Sequence, residues 1–381
     1  MNARQFLIAV TGLATALLAA CSSRVPDVVT IGVAVPLSGP QAGRGKDLLD
    51  GVQLAVKELN AKGVVIDGKA VTLEVKAMDD KADKAVAAGV AQALVDAKVH
   101  TVVGHLSSDI SEVAIPIYKK GNLPQLFTSS ARNLTTLAEG NGFRLVANDD
   151  LQALAMASFV TTMLPAKKVS MIYEDTAFGR PVSKAVAEGL AKGGATVAIN
   201  QGFDNKTTQF DALVAKLKTD TPEVLIAVMR EHQLLPLFQQ MKAAGVTNLA
   251  VVVTNSAKTT KMASTPHPFK SLHATSNALD AFEFERTGQE FLARFRAEYK
   301  AEPVWGAHYA YDATYVLVGA MQKAASVEPE KLRAALKVVD IGVPATGSMR
   351  FSDTGERRYA PISVYVANGG KWDMVARSDV W

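Results

Sequence analysis

In the stretch HTVVGHLSSDISEVAIP, His100 to Pro116, apolar β-branched residues run up to Gly104, and two adjacent hydroxyls, Ser107 and Ser108, precede a segment able to start a helix. A strand-to-helix turn leaves backbone N–H groups unpaired and concentrates positive partial charge, so its natural guest is a small anion or a carboxylate. Serine hydroxyls add donors there. The competing reading is structural: Ser108 or Asp109 merely caps the helix.

Other chemistries find less support. The segment SGPQAGRGKDLLDG follows a strand and precedes a helix, but its glycines at 39, 43, 45 and 51 do not form the dinucleotide fingerprint, and no Gly-Lys-Ser/Thr follows. Ser107 or Ser108 near His105 suggests a serine hydrolase, yet there is no Gly-x-Ser-x-Gly elbow, and His105 reads better as a packing or hydrogen-bonding group. The histidines at 100, 105, 232, 267, 273 and 308 show no metal-ligand spacing. Asp79, Asp80 and Asp83 in MDDKAD read as a solvated loop and a helix start. No cofactor or metal is expected, and no catalytic set emerges.

These loops need a scaffold to position them. The strand VVTIGVAVPLSG and the helical spacing of Lys46 to Asn60 form a βα unit, and the alternation continues through AVTLEVKAMD, a helix from Asp83 to Ala97, TVVGHL, a helix through SEVAIPIYKK and LPQLFTSS. A second set follows Arg144: a helix at Asp150–Met163, KVSMIYE, a helix at Pro181–Lys192, TVAINQGF, a helix at Gln209–Lys218, EVLIAVM, a helix at Leu234–Ala244 and LAVVVTN. Near-continuous apolar strands alternating with amphipathic helices predict two doubly wound α/β lobes with parallel sheets. Two helical stretches, RTGQEFLARFRAEY and HYAYDATYVLVGAMQKAA, precede a tail that predicts antiparallel strands turning at Asp353-Thr354-Gly355 and Asn368-Gly369-Gly370. A tail with both kinds of element suggests service to both lobes.

The chain's 381 residues exceed one typical core. Its 41 Lys and Arg against 37 Asp and Glu give a net +4 without a basic block, so nothing suggests a nucleic-acid partner. At the N-terminus, Arg4, the apolar run Phe6 to Ala20 and small residues before Cys21 have the layout of an export signal, too short for the ~20 residues of a membrane span. Leu18-Ala19-Ala20-Cys21 resembles a bacterial lipobox, which implies a lipidated Cys21; the alternative is a buried cysteine in an uncleaved helix. Cys21 is the only cysteine, so lipidation would leave no thiol for catalysis or disulfides.

In open α/β sheets ligands lie beyond the carboxyl ends of the strands, where SGPQAGRG, GHLSS, TSSARN, EDTAFGR and TNSAKT all fall. With IGVAVPLSGPQAGRGKDLLDGVQLAVKELNAKG, VVGHLSSDIS, YEDTAFGRPVSKAVAEGL and GSMRFSDTGERRYAPISVYVANGGKW in this order, the mature chain resembles the periplasmic leucine/isoleucine/valine-binding proteins, type I solute-binding components of ABC importers. The resemblance implies two lobes joined by three crossovers that close over a small molecule and pass it to an inner-membrane permease. It divides the chain into a signal peptide (1–20), a tether (21–26), lobe one (27–146 and 278–344) and lobe two (147–277 and 345–381). It also implies a monomer, a lipid anchor in the cell envelope, and a ligand carboxylate held by Ser108, with Ser107 beside it, and by a hydroxyl or backbone group at Ser129 and Ser130.

Two positions depart from the family pattern. Arg44 stands where relatives often carry an aromatic residue, and Thr254-Asn255-Ser256 stands where they carry an acid for the ligand ammonium. Glu231 is the nearest replacement acid, beside an opposing Arg230. Phe178 is the aromatic match in lobe two, or a core residue. These departures favour a small organic acid, aromatic or dicarboxylic, over a branched-chain amino acid; the alternative has Arg44 in solvent and Glu231 taking the ammonium. A non-transport sensor of an amide or small acid on the same fold, and an exported hydrolase using Ser107 or Ser108, are the competing functions.

Overall fold

The structure, a computed structural model, describes residues 25–379. The leader and the lipidation position Cys21 lie outside the described residues.

The first sheet is built from β1 (Val28–Val35), β2 (Val64–Ile66), β3 (Lys69–Asp79), β4 (Thr101–Gly104), β5 (Gln125–Phe127) and β6 (Gly142–Arg144), in the order β2-β3-β1-β4-β5-β6. All its pairings are parallel except β2 with β3. Its helices are α1 (Ala42–Lys62), α2 (Lys84–Asp96), α3 (Ser108–Lys120) and the short α4 (Leu134–Ala138). Asp83 starts α2 by accepting from the N–H groups of Ala85 and Val86. Pro116 lies inside α3, which runs from the N-cap Ser107 to Gly121.

The helix α5 (Asp149–Ser158), extended by a π-helical turn at Phe159–Met163, opens the second sheet. There β7 (Lys168–Glu174), α6 (Gly179–Lys192), β8 (Thr196–Phe203), α7 (Asp211–Asp220), β9 (Val224–Val228), α8 (Glu231–Ala243), β10 (Ala250–Val253), the short α9 (Thr260–Ser264) and β11 (Ser271–Ser276) follow in turn. After α10 (Glu285–Tyr299), α11 (Ala307–Ala324), α12 (Pro329–Lys337) and the small ribbon of β12 (Ile341–Val343) and β13 (Gly347–Met349), the chain returns as β14 (Ser363–Asn368) and β15 (Lys371–Arg377). The second sheet has the order β15-β14-β11-β10-β9-β7-β8, antiparallel only at β11-β14-β15. Both sheets are therefore mixed, mostly parallel, where the strand pattern predicted parallel ones. The β14-β15 hairpin turns at Gly369 and Gly370, whose φ of 55° and 85° suit glycine.

The alternating β1 residues Val29, Ile31, Val33 and Val35 pack with Leu48 and Val52 of α1 and with Tyr309, Ala313 and Val316 of α11, so the late helices complete the first lobe. A Cβ on Gly51 would stand 2.1 Å from the Ala307 carbonyl oxygen, which explains how closely α1 and α11 approach. Two clusters fill the two faces of the second sheet.

Two expectations are corrected. Residues 345–357, which the resemblance places in lobe two, pack on the first sheet: Met349 and Phe351 join its core, and the Arg357 guanidinium donates to the Leu145 carbonyl at 3.0 Å. Asp80 is fully buried, its Oδ2 2.6 Å from His105 Nδ1, while His105 Nε2 lies 3.0 Å from the Tyr118 hydroxyl. Both Asp80 oxygens have partners despite the burial, the imidazole on one and the Ala82 N–H at 2.9 Å on the other. His105 is thus occupied in packing, as its sequence context suggested.

Candidate functional site

Strand order reverses at β1/β4 in the first sheet and at β7/β9 in the second, the positions where open sheets leave a crevice. The loops at these carboxyl ends face one another across a cleft of about 1540 Å³. Sharing Arg44, Ser107 and Arg230 with it, a small pocket of about 40 Å³ is lined by these and by Ser108 and Ser130 from one side and by Phe178 and Asn255 from the other, with Trp305 arriving from the loop before α11. The lobes meet: Asp109 Oδ1, in the first turn of α3, accepts from the Ala177 N–H at 3.0 Å.

Ser108 is the first residue of α3 and not its cap. Its Oγ accepts from the Ala131 N–H at 3.1 Å, which leaves the hydroxyl proton to donate. Ser107 occupies the cap position without making a side-chain cap bond; its hydroxyl donates instead to Gln41 Oε1 at 3.1 Å. The Ile110 and Ser111 N–H groups donate to the Ser107 carbonyl, which leaves the Ser108 and Asp109 N–H groups as donors at the positive dipole end of the helix.

The loop after β5 is held from beneath by a residue the sequence reading did not single out. Arg144 is fully buried and donates to the carbonyls of Ser129 (2.5 Å) and Ala131 (2.8 Å), while its Nε lies 3.0 Å from Glu356. Ser129 Oγ lies 2.6 Å from Ser111 Oγ, so this side chain is engaged away from the pocket that its neighbour Ser130 lines. Thr128 also lines the pocket, and its buried hydroxyl has no protein partner.

Arg44 does not point to open solvent. Its Cζ lies 4.1 Å from the centroid of the Trp305 ring, and burial, together with the facing Arg230 guanidinium, pulls its pKa down to about 10, still a cation at neutral pH. Asp47, one turn on, is committed elsewhere: it accepts from the N–H groups of Val304 (2.7 Å), Trp305 (2.9 Å), Gly306 (2.8 Å) and Ala307 (2.9 Å). It thereby caps α11 from a distance and fixes the indole under Arg44. Arg230 pairs with the fully buried carboxylate of Glu174, which also accepts the Arg230 backbone N–H at 3.0 Å. Burial raises the pKa of Glu174, and the Arg230 charge opposes that rise.

Phe178 lies at the start of α6 and serves both readings, since it lines the pocket and packs into the second-lobe core. Asn255 Oδ1 accepts from Gln152 Nε2 at 3.0 Å, leaving its amide N–H groups for the pocket. Glu231 stands apart. It lines the outer cleft, accepts from the Thr259 hydroxyl and lies 3.7 Å from Lys261 Nζ. The pocket thus assembles Arg44, Ser107, Ser108, Ser130, Phe178 and Asn255 from the residues read in sequence, without Glu231 or the Ser129 side chain. It adds Arg230, Trp305 and Thr128. Arg230 had a signal, a charged residue at the end of an apolar strand; Trp305 had none.

Two α/β lobes meeting over a polar pocket at their switch points have the architecture of a small-molecule binding protein. The chain matches the periplasmic binding protein family over residues 28–371 and belongs to it; it is a binding protein and not an enzyme. It is 28% identical over 379 residues to an amino acid binding protein of Pseudomonas aeruginosa, covering 98% of each chain. It superposes on a leucine-binding protein of Thermotoga maritima with a TM-score of 0.83 at 21% identity, covering 92% of this chain and 98% of that one. A solute-binding protein of Rhodopseudomonas palustris in complex with benzoate gives 0.80 at 17% identity, covering 92% and 96%.

Proposed function

We propose that the chain is the extracytoplasmic substrate-binding protein of an ABC importer of the branched-chain amino acid type, which binds a small carboxylate-bearing ligand between its lobes and delivers it to an inner-membrane permease. The observation that carries the carboxylate is the convergence of the Ser108 and Ser130 hydroxyls and the α3 N-terminus on one pocket. Such donors hold a carboxylate by charge-assisted hydrogen bonds. The relatives' amino-acid, leucine and benzoate ligands are all carboxylates.

The lobes divide at 146/147 and 277/278, with a third crossover between Arg358 and Ser363. Closure is a hinge motion about these segments. Placement is the periplasmic side of the envelope, through a lipid on Cys21.

Calorimetric titration of the mature domain, unfolded and refolded to strip its guest, tests the reading. Micromolar or tighter binding of at least one carboxylate from a panel of amino acids and aromatic and aliphatic acids is expected. Binding of neutral amides but no carboxylate would overturn it.

A further inference from the structure

Arg44 and Arg230 come from opposite lobes and line the same small pocket. Arg44 stacks on Trp305, and its guanidinium forms no ion pair among the described residues. The nearest acid on its helix, Asp47, spends both oxygens on four backbone N–H groups. Arg230 has one carboxylate partner, the buried Glu174. Closing the lobes therefore brings two guanidinium groups together, with Glu174 pairing one of them and Asp47, its oxygens already taken by backbone N–H groups, attracting Arg44 less than Arg230 repels it. Two like charges gathered out of water repel, and an anion between them removes the penalty.

A zwitterion brings its own ammonium into this space. No Asp or Glu lines the small pocket, and the acids of the larger cleft that Arg44 and Arg230 also line are engaged elsewhere: Asp109 by the Ala177 N–H, Glu112 by Asn133, Asp175 by Arg180, Asp204 by the Lys206 N–H, Asp83 by the start of α2, and Glu231 by Thr259 and Lys261. The Thr128 hydroxyl can accept a hydrogen bond from an ammonium but cannot neutralise it.

We infer that Arg44 and Arg230 act across the cleft as a charge lock that closes on a ligand of net negative charge, so that the guest is an organic acid and not a zwitterionic amino acid. Phe178 and Trp305 offer flat apolar surfaces to such an acid, 6% and 5% exposed respectively. Arg44 and Arg230 are then specificity determinants, and Glu174 positions Arg230. This inference rests on the carboxylate reading above.

Leucine and 4-methylpentanoate share a carbon skeleton and differ by the ammonium, and phenylalanine and 3-phenylpropanoate form a second such pair. The refolded mature protein is titrated with all four. The acid of at least one pair is expected to bind at least about 100-fold tighter than its amino acid, the effect of about 2.7 kcal/mol of unpaired charge. That ratio should shrink at least tenfold in Arg44→Gln. Because removing Arg230 alone strands Glu174, the second variant is the double substitution Arg230→Gln with Glu174→Gln, for which the same shrinkage is expected. Amino acids binding more tightly than their acids, or ratios unchanged in both variants, overturn the inference while leaving a carboxylate-binding protein intact. Binding of the corresponding amides alone overturns the carboxylate reading itself.

Discussion

The hydroxyl of Ser108 accepts a hydrogen bond at 3.1 Å from the backbone N–H of Ala131, which ties the start of α3 to the loop after β5. One atom thus sets the spacing between the two donor loops of the pocket. Ser108→Ala is expected to weaken carboxylate binding by about 1.5–3 kcal/mol while lowering stability by only about 1 kcal/mol, the net worth of one hydrogen bond. Calorimetry and thermal melting on the same sample check both. Normal binding with a much lower melting point would reduce Ser108 to a structural tie.

Arg144 holds the Ser129 and Ala131 carbonyls and Glu356 from inside the first lobe. Arg144→Met strands those acceptors, so a loss of about 3–5 kcal/mol is expected in denaturant unfolding, as for a broken buried pair. Ligand affinity should fall with it, since the loop carrying Ser130 loses its support. Unchanged stability would show that Arg144 is dispensable.

Asp149 opens α5 just after the crossing where Ala147 N donates to the Asn277 carbonyl at 2.9 Å. Burial pushes its pKa up to about 7, with a hydrogen bond from the Ser130 hydroxyl and the Arg144 charge opposing the rise and Asp150 adding to it. The folded state therefore prefers the proton. That contribution is complete below the unfolded value near 4 and is lost as pH rises through about 7. Asp312, raised to about 6 by burial, acts in the same direction. Melting points should fall by several degrees between pH 5 and pH 8, about 2–4 kcal/mol for a change of this size. Asp149→Asn should remove much of that slope.

Glu231→Gln is expected to leave the affinity for acids within about threefold, because a partly exposed ion pair is worth under ~1 kcal/mol and Glu231 lies outside the inner pocket. A loss of tenfold or more in titration would place Glu231 on the ligand after all.

Cys21→Ala should abolish lipid attachment and leave the fold and the ligand affinity unchanged. Intact-mass analysis of membrane and soluble fractions reads both states. A wild-type N-terminus far from Cys21, without added lipid, would contradict the anchor.

The sequence alone determined the alternation of strands and helices, because apolar runs and helical spacing are local properties that burial on a parallel sheet imposes. It also placed hydroxyls at strand ends, and so the cleft. The strand Ser271–Ser276 is too short to declare itself locally, and its place is set by pairing with β10 on one side and with β14, far along the chain, on the other. Which donor serves the pocket was decided only by tertiary packing. Ser129 and Ser130 are adjacent and chemically identical, yet Ser111 engages one and the pocket takes the other. Asp79, Asp80 and Asp83 read alike in sequence, but Asp80 alone is buried among them, against His105. The platform under Arg44 is the furthest from local reading: Trp305 reaches it because Asp47 draws four backbone N–H groups from the other end of the chain onto α1. Contacts of that span depend on how whole elements pack, and residue spacing carries no record of them.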